Sequence, residues 1–80
     1  MTEVENKAID ALVAAEPATD PFGGPVQGMG ASLKLSTAEA RTLTEGLVKR
    51  GLLRTRNVGP ANNIAESGQV AQMLYRWERV

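Results

Sequence analysis

The side chains best equipped for chemistry in this sequence lie between residues 34 and 56, where basic groups are interspersed with hydroxyl groups and a few carboxylates. Arginine can donate paired hydrogen bonds to a guanine edge or to a phosphate, and a carboxylate can accept one from the amino group of cytosine. The chain contains no His and no Cys. This composition excludes imidazole acid–base catalysis, thiolate nucleophiles and Cys/His metal sites. We therefore expect a protein that is not an enzyme and holds no metal or cofactor.

A helix over residues 37–50 is predicted to position most of these groups. Ser36, with Glu39 three residues later, forms a capping box, and Gly51 can adopt the left-handed conformation that ends a helix. The helical period turns one side toward the core, and that side carries Ala40, Leu43, Thr44 and Leu47. The opposite side is predicted to be exposed and carries Ala38, Arg41, Thr42, Glu45 and Lys49.

Two helices are predicted before this one. Thr2 and Glu5 form another capping box, which predicts a first helix running to about Ala15. Three of the four prolines fall within residues 17–25, so this segment is predicted to be an irregular connection with Phe22 tucked beneath it.

A short second helix follows from three apolar residues at i, i+3 and i+7, namely Val26, Met29 and Leu33. Residues 34–36 then form the turn into the next helix, with Leu35 anchored between the two.

A β-hairpin is predicted after Gly51, with strands within residues 52–58 and 70–80. The residues from Gly59 to Gly68 have the composition of a loop between these strands. We also expect a small extra strand near Ala31 that pairs with the hairpin.

The segment PVQGMGASLKLSTAEARTLTEGLVKRGLLRTR resembles the core of the winged helix-turn-helix superfamily, as in MarR-like and ArsR-like bacterial regulators. The matching positions are Val26, Met29, Leu33, Leu35, Ser36, Leu43, Leu47 and the run Arg50-Gly51-Leu52-Leu53. The resemblance implies a mainly α fold with a β-hairpin, of the α+β class, in the order α-α-α-β-β, forming one domain over residues 1–80. The chain departs from the superfamily at Gly28 and Gly30, inside the second helix, and at Lys34, where members often carry Gly.

The function that the resemblance implies is sequence-specific binding of double-stranded DNA by a small transcriptional or recombination regulator. The helix over residues 37–50 would enter the major groove and present to base edges Ala38, Arg41, Thr42 and Glu45. Phosphates would be held by Lys34, Thr37, Lys49, Arg54 and Arg56. The wing loop would contact the flanking minor groove or backbone through Asn62 and Asn63.

The charge distribution is uneven although the net charge is zero. Residues 1–31 carry one Lys against five carboxylates, whereas residues 32–80 carry eight basic side chains against four acidic ones. A phosphate backbone responds to such a local excess of positive charge. Zero net charge, and Glu45 in the middle of the exposed helix face, favour the alternative that the domain is a protein–protein interaction module or adaptor without DNA binding.

The last predicted strand has two apolar faces. Tyr75 and Trp77 share one face with Met73, and Leu74 lies on the other. Core packing is the plainest interpretation of the two aromatic residues. A homodimer or protein-partner contact through this strand is the sharper one, and stacking on single-stranded bases is a third.

The expected location is the cytoplasm, without membrane association. The N-terminal segment is acidic and lacks the apolar run of a signal peptide, and no stretch approaches the length of a membrane span.

Overall fold

A computed structural model describes residues 1–61 and 72–80 of the chain. Its elements are α1 (Glu3–Ala14), α2 (Gly24–Ser32), α3 (Thr37–Lys49), β1 (Leu53–Pro60) and β2 (Met73–Arg79). The three helices are followed by a two-stranded antiparallel hairpin. The order α-α-α-β-β and the α+β class predicted from the sequence are thus confirmed.

Both predicted capping boxes are formed. The Ser36 hydroxyl accepts a hydrogen bond from the Glu39 backbone N–H at 3.1 Å, and the Glu39 carboxylate accepts one from the Ser36 N–H at 2.9 Å. Thr2 and Glu5 make the same reciprocal pair at the start of α1. Hydrogen bonding from the Ser36 backbone lowers the pKa of Glu39, and bonding from the Thr2 backbone, followed by the Arg50 side chain, lowers the pKa of Glu5.

The helices α2 and α3 end in the same way. After α3, the Leu52 N–H donates to the Leu47 carbonyl at 3.0 Å while Gly51 adopts a φ of 74°. After α2, the Leu35 N–H donates to the Gly30 carbonyl at 2.8 Å, and here Lys34 takes the left-handed position with a φ of 59°. Both are Schellman motifs, in which glycine normally occupies the left-handed position. Lys34 therefore adopts a backbone conformation that L-residues with a Cβ rarely take.

The helices meet most closely where Gly30 of α2 faces Ala40 of α3. A Cβ atom built at Gly30 would lie 2.8 Å from the Ala40 Cβ, closer than carbon atoms can pack. Gly28 has no such neighbour and faces open space. Gly30 is therefore needed for helix packing, although glycine weakens a helix interior.

The core lies between the helices and the hairpin. Its fully buried apolar residues are Ala8, Ile9, Leu12, Val26, Met29, Ala40, Leu47, Leu53 and Trp77. The only buried polar side chain among the described residues is Thr44, whose hydroxyl donates to the Ala40 carbonyl at 2.8 Å. Leu47 is buried as predicted, but Leu43 is only half-buried. The side of α3 that faces the core is centred on Ala40, Thr44 and Leu47, and Leu43 lies at its margin.

The hairpin departs from the prediction at its far end. Gly59 and Pro60 were expected in a loop, but they belong to β1 and pair with Leu74 and Met73. The register shifts between Asn57 and Gly59, where Gly59 adopts a φ of 109° and donates its N–H to the Asn57 side chain at 2.8 Å. A glycine at positive φ thus forms a bulge that lets the strand continue.

The extra strand expected near Ala31 is wrong, because Ala31 lies within α2. A single β-bridge forms instead between Ala18, in the connection after α1, and Tyr75 of β2, with backbone hydrogen bonds of 2.8 and 2.9 Å. Ala18 and β1 lie on opposite sides of β2. On the side of β1 that faces away from β2, no strand is paired among the described residues, so this side of β1 is an open edge.

Trp77 joins the hairpin to the connection between α1 and α2. Its indole N–H donates to the Pro21 carbonyl at 2.8 Å, and the Phe22 ring stacks edge-on against it with centroids 5.1 Å apart. Trp77 is buried, which confirms the core interpretation, whereas Tyr75 is half-buried.

Candidate functional site

All the predicted site residues that the structure describes are exposed. They are Lys34, Thr37, Ala38, Arg41, Thr42, Glu45, Lys49, Arg54 and Arg56. The predicted loop residues Asn62 and Asn63 lie outside the described residues. Seven of these exposed positions belong to α3 or to the turn before it, and the remaining two belong to β1.

The outward side of α3 carries small side chains at its N-terminal end. Thr37, Ala38 and Thr42 are all exposed and leave the helix backbone open to close approach. Lys49 extends the same side to the end of the helix. The side chains named here are small or polar, and Val48 is the one large apolar side chain of α3 that is exposed.

Arg41 is held by two neighbours. Its guanidinium carbon lies 5.4 Å from the centroid of the Phe22 ring, and its Nε lies 3.6 Å from a carboxylate oxygen of Glu45. The Arg41 side chain is nevertheless 58% exposed and that of Glu45 53% exposed. Arg41 and Glu45 therefore form a solvent-facing pair beside the aromatic ring.

The outer face of the hairpin carries three arginines. Arg54 lies opposite Glu78 in the strand register and contacts its carboxylate at 3.4 Å. Arg56 lies directly opposite Arg76. Like charges in directly opposed positions destabilise a hairpin, so this pair carries a local cost. Arg76 was missed by the sequence analysis, because the opposition depends on a register that a single strand does not reveal.

Within the described parts of the chain, four basic side chains have no carboxylate partner: Lys34, Lys49, Arg56 and Arg76. All lie in the turn before α3, at the end of α3 or on the hairpin. Arg50 and Arg79, by contrast, form ion pairs with Glu5 and Asp10 of α1 and so tie α1 to the rest of the domain.

The surface has two depressions of note. One, of about 310 Å³, is lined by Phe22, Glu45, Val48 and Lys49. The other, of about 470 Å³, runs between α1 and α2 and is lined mainly by small residues. No group of acidic, His or Cys side chains in residues 1–61 and 72–80 is arranged to hold a metal ion. None of the described helices has the length and apolar character required to cross a bilayer.

Similarity to known proteins is a further source of information about function. No protein-family model, curated protein or solved structure matches the chain.

Proposed function

We propose that this domain binds double-stranded DNA, with the outward side of α3 in the major groove and the hairpin against the adjacent backbone. The observation that carries the proposal is the placement of the four basic side chains that have no carboxylate partner among the described residues. They flank or follow the polar side of α3, where phosphates on either side of a groove would meet them. The resemblance of the sequence to winged helix-turn-helix regulators agrees with this arrangement.

The roles divide by position on the surface. Arg41 would contact a guanine and Glu45 the amino group of a cytosine, while Ala38 and Thr42 allow the helix to lie close to the base edges. Phosphates would be contacted by Lys34, Thr37, Lys49, Arg54, Arg56 and Arg76. Arg54 would contribute less than Arg56, because Glu78 already neutralises part of its charge.

We also propose that the domain acts in the cytoplasm and binds DNA as a homodimer or as a tandem arrangement of copies. A single module of this size buries roughly 600–1,000 Å² against DNA, less than most specific complexes bury. In a dimer, the second copy would bind a second half-site on the DNA.

The test is fluorescence anisotropy with duplexes selected from a random library, compared with scrambled duplexes, at several salt concentrations. Arg41→Ala is expected to cost about 1–3 kcal/mol on the selected duplex and to relax preference at one position. Arg56→Gln and Arg76→Gln should weaken binding to every duplex and reduce the salt slope by up to about one unit each.

Lys7→Gln is the matched control for these charge changes. It removes one exposed positive charge from α1, where Lys7 contacts Glu3 at 3.4 Å, and should leave DNA binding unchanged. Equal and sequence-blind binding by the wild type and Arg41→Ala would contradict a role in specific recognition. No measurable binding at low salt would contradict the proposal as a whole.

A protein-interaction module is the second candidate, and one observation favours it. Glu45 neutralises the only arginine within α3, and the depression beside this pair is lined by Phe22 and by Val48, which is 37% exposed. An apolar contact of this kind would respond little to salt. Binding of a protein that survives high salt and is lost in Val48→Asp would support this candidate over DNA.

A further inference from the structure

Phe22 lies at the point where three parts of the domain meet. It belongs to the connection before α2, it stacks against Trp77 of β2, and its ring faces Arg41 of α3. The sequence alone predicts only a packing role for Phe22, beneath the connection. The contact with Arg41 gives it a second role.

We infer that Phe22 determines the sequence specificity of the domain by fixing the orientation of Arg41, an inference that rests on the proposed DNA binding. Phe22 is a positioning residue in this account, because it acts through the guanidinium and has no contact of its own with a base. The ligand recognised is a guanine edge in the major groove, for which a planar guanidinium in a fixed direction is the matching donor.

The geometry around Arg41 leaves the right atoms available. The contact to Glu45 is made through Nε, which leaves the two terminal Nη groups at the end of the side chain for another acceptor. The Phe22 ring lies against the guanidinium at a distance typical of a cation–π contact. Glu45 and Phe22 together restrict the Arg41 side chain before DNA binds. Less conformational entropy is then lost on binding, which favours affinity.

Contacts with Asp20 and Trp77 hold Phe22 and its backbone in place. Its backbone N–H donates to the Asp20 carboxylate at 3.0 Å, and the preceding Pro21 carbonyl accepts from the Trp77 indole at 2.8 Å. The two rings meet edge to face, with an interplanar angle of 83°. The orientation of Arg41 is therefore coupled to the hairpin through Phe22.

A double-mutant cycle between Phe22→Leu and Arg41→Ala tests the inference on a selected duplex. An exposed cation–π contact corresponds to about a two- to fivefold effect on affinity. Phe22→Leu should lose affinity for the selected duplex by that factor, keep its affinity for scrambled duplexes and relax preference at the same base position as Arg41→Ala. In the Arg41→Ala background it should have no further effect on DNA binding.

Phe22→Tyr is the conservative control, since it keeps the ring and should keep the specificity. NMR of the free protein supplies a measurement independent of DNA: the Arg41 side-chain protons should show a ring-current shift that Phe22→Leu removes and Phe22→Tyr retains. Equal losses from Phe22→Leu with and without Arg41, or no ring-current shift, would overturn the inference while leaving DNA binding intact. Failure to select any duplex would also overturn the inference, and failure to bind any DNA at low salt would overturn the proposed function as well.

Discussion

Two glycines of the same helix should respond to alanine in opposite ways. Each replacement, Gly28→Ala or Gly30→Ala, gains about 1 kcal/mol of helix propensity. Gly28 faces open space, so its variant should keep this gain. At Gly30 the new methyl group would lie 2.8 Å from the Ala40 Cβ, and that atom is fixed to the α3 backbone and cannot rotate away. Such overpacking costs about 1–3 kcal/mol.

The difference between the two variants isolates the helix contact, because the propensity gain is common to both. Urea unfolding followed by Trp77 fluorescence should give a free energy of unfolding about 1–3 kcal/mol lower for Gly30→Ala than for Gly28→Ala. Equal values would show that α2 and α3 are not packed as closely as described. A third variant, Gly30→Ala with Ala40→Gly, removes the clashing methyl group and should recover part of the lost packing.

Three other predictions concern stability. Lys34→Gly should raise the free energy of unfolding by about 0.5–1 kcal/mol in thermal or urea denaturation, because glycine removes the strain of the left-handed position at the cost of a more flexible unfolded chain. Leu47→Ala should lower it by about 2–5 kcal/mol, since Leu47 is only 1% exposed, and a loss under about 1 kcal/mol would mean that α3 faces the wrong way. Glu5 and Glu39 have lowered pKa values in the folded state, so their stabilising contributions are present above the ordinary carboxyl pKa and are lost as the pH falls through the folded values. Urea titrations between pH 7 and 3 should show a smaller acid-induced loss for Glu39→Gln than for the wild type.

The parts of the fold that the sequence predicted correctly have local causes. Ser36, Glu39 and Gly51 act on backbone groups within a few residues, so their pattern alone predicts where α3 begins and ends. The exposed positions of α3 followed from the helical period for the same reason. Leu43 was misjudged because its side of the helix is only partly covered, and the extent of that cover is decided by other elements.

The parts that the sequence did not predict depend on residues distant in the chain. The Ala18 bridge to Tyr75 and the Pro21 hydrogen bond to Trp77 join segments that no short pattern connects. The packing role of Gly30 depends on how close the Ala40 Cβ of α3 lies, which the sequence of α2 does not reveal. In the candidate site, the contact between Phe22 and Arg41 and the opposition of Arg56 and Arg76 were missed on the same grounds.

Among the residues that the structure describes, no strand pairs with the outer edge of β1, and the arginines of β1 therefore also affect solubility. Because Tyr75 directs its backbone groups toward Ala18, the alternation of an antiparallel ladder directs those of Thr55 away from β2. Such an edge can recruit a strand from another molecule, and charged side chains are a common defence against this aggregation. Two copies of β1 placed side by side would bring Arg54 and Arg56 close to the same residues of the neighbour. Variants that neutralise these arginines to weaken DNA binding would therefore also lose protection against edge-to-edge self-association.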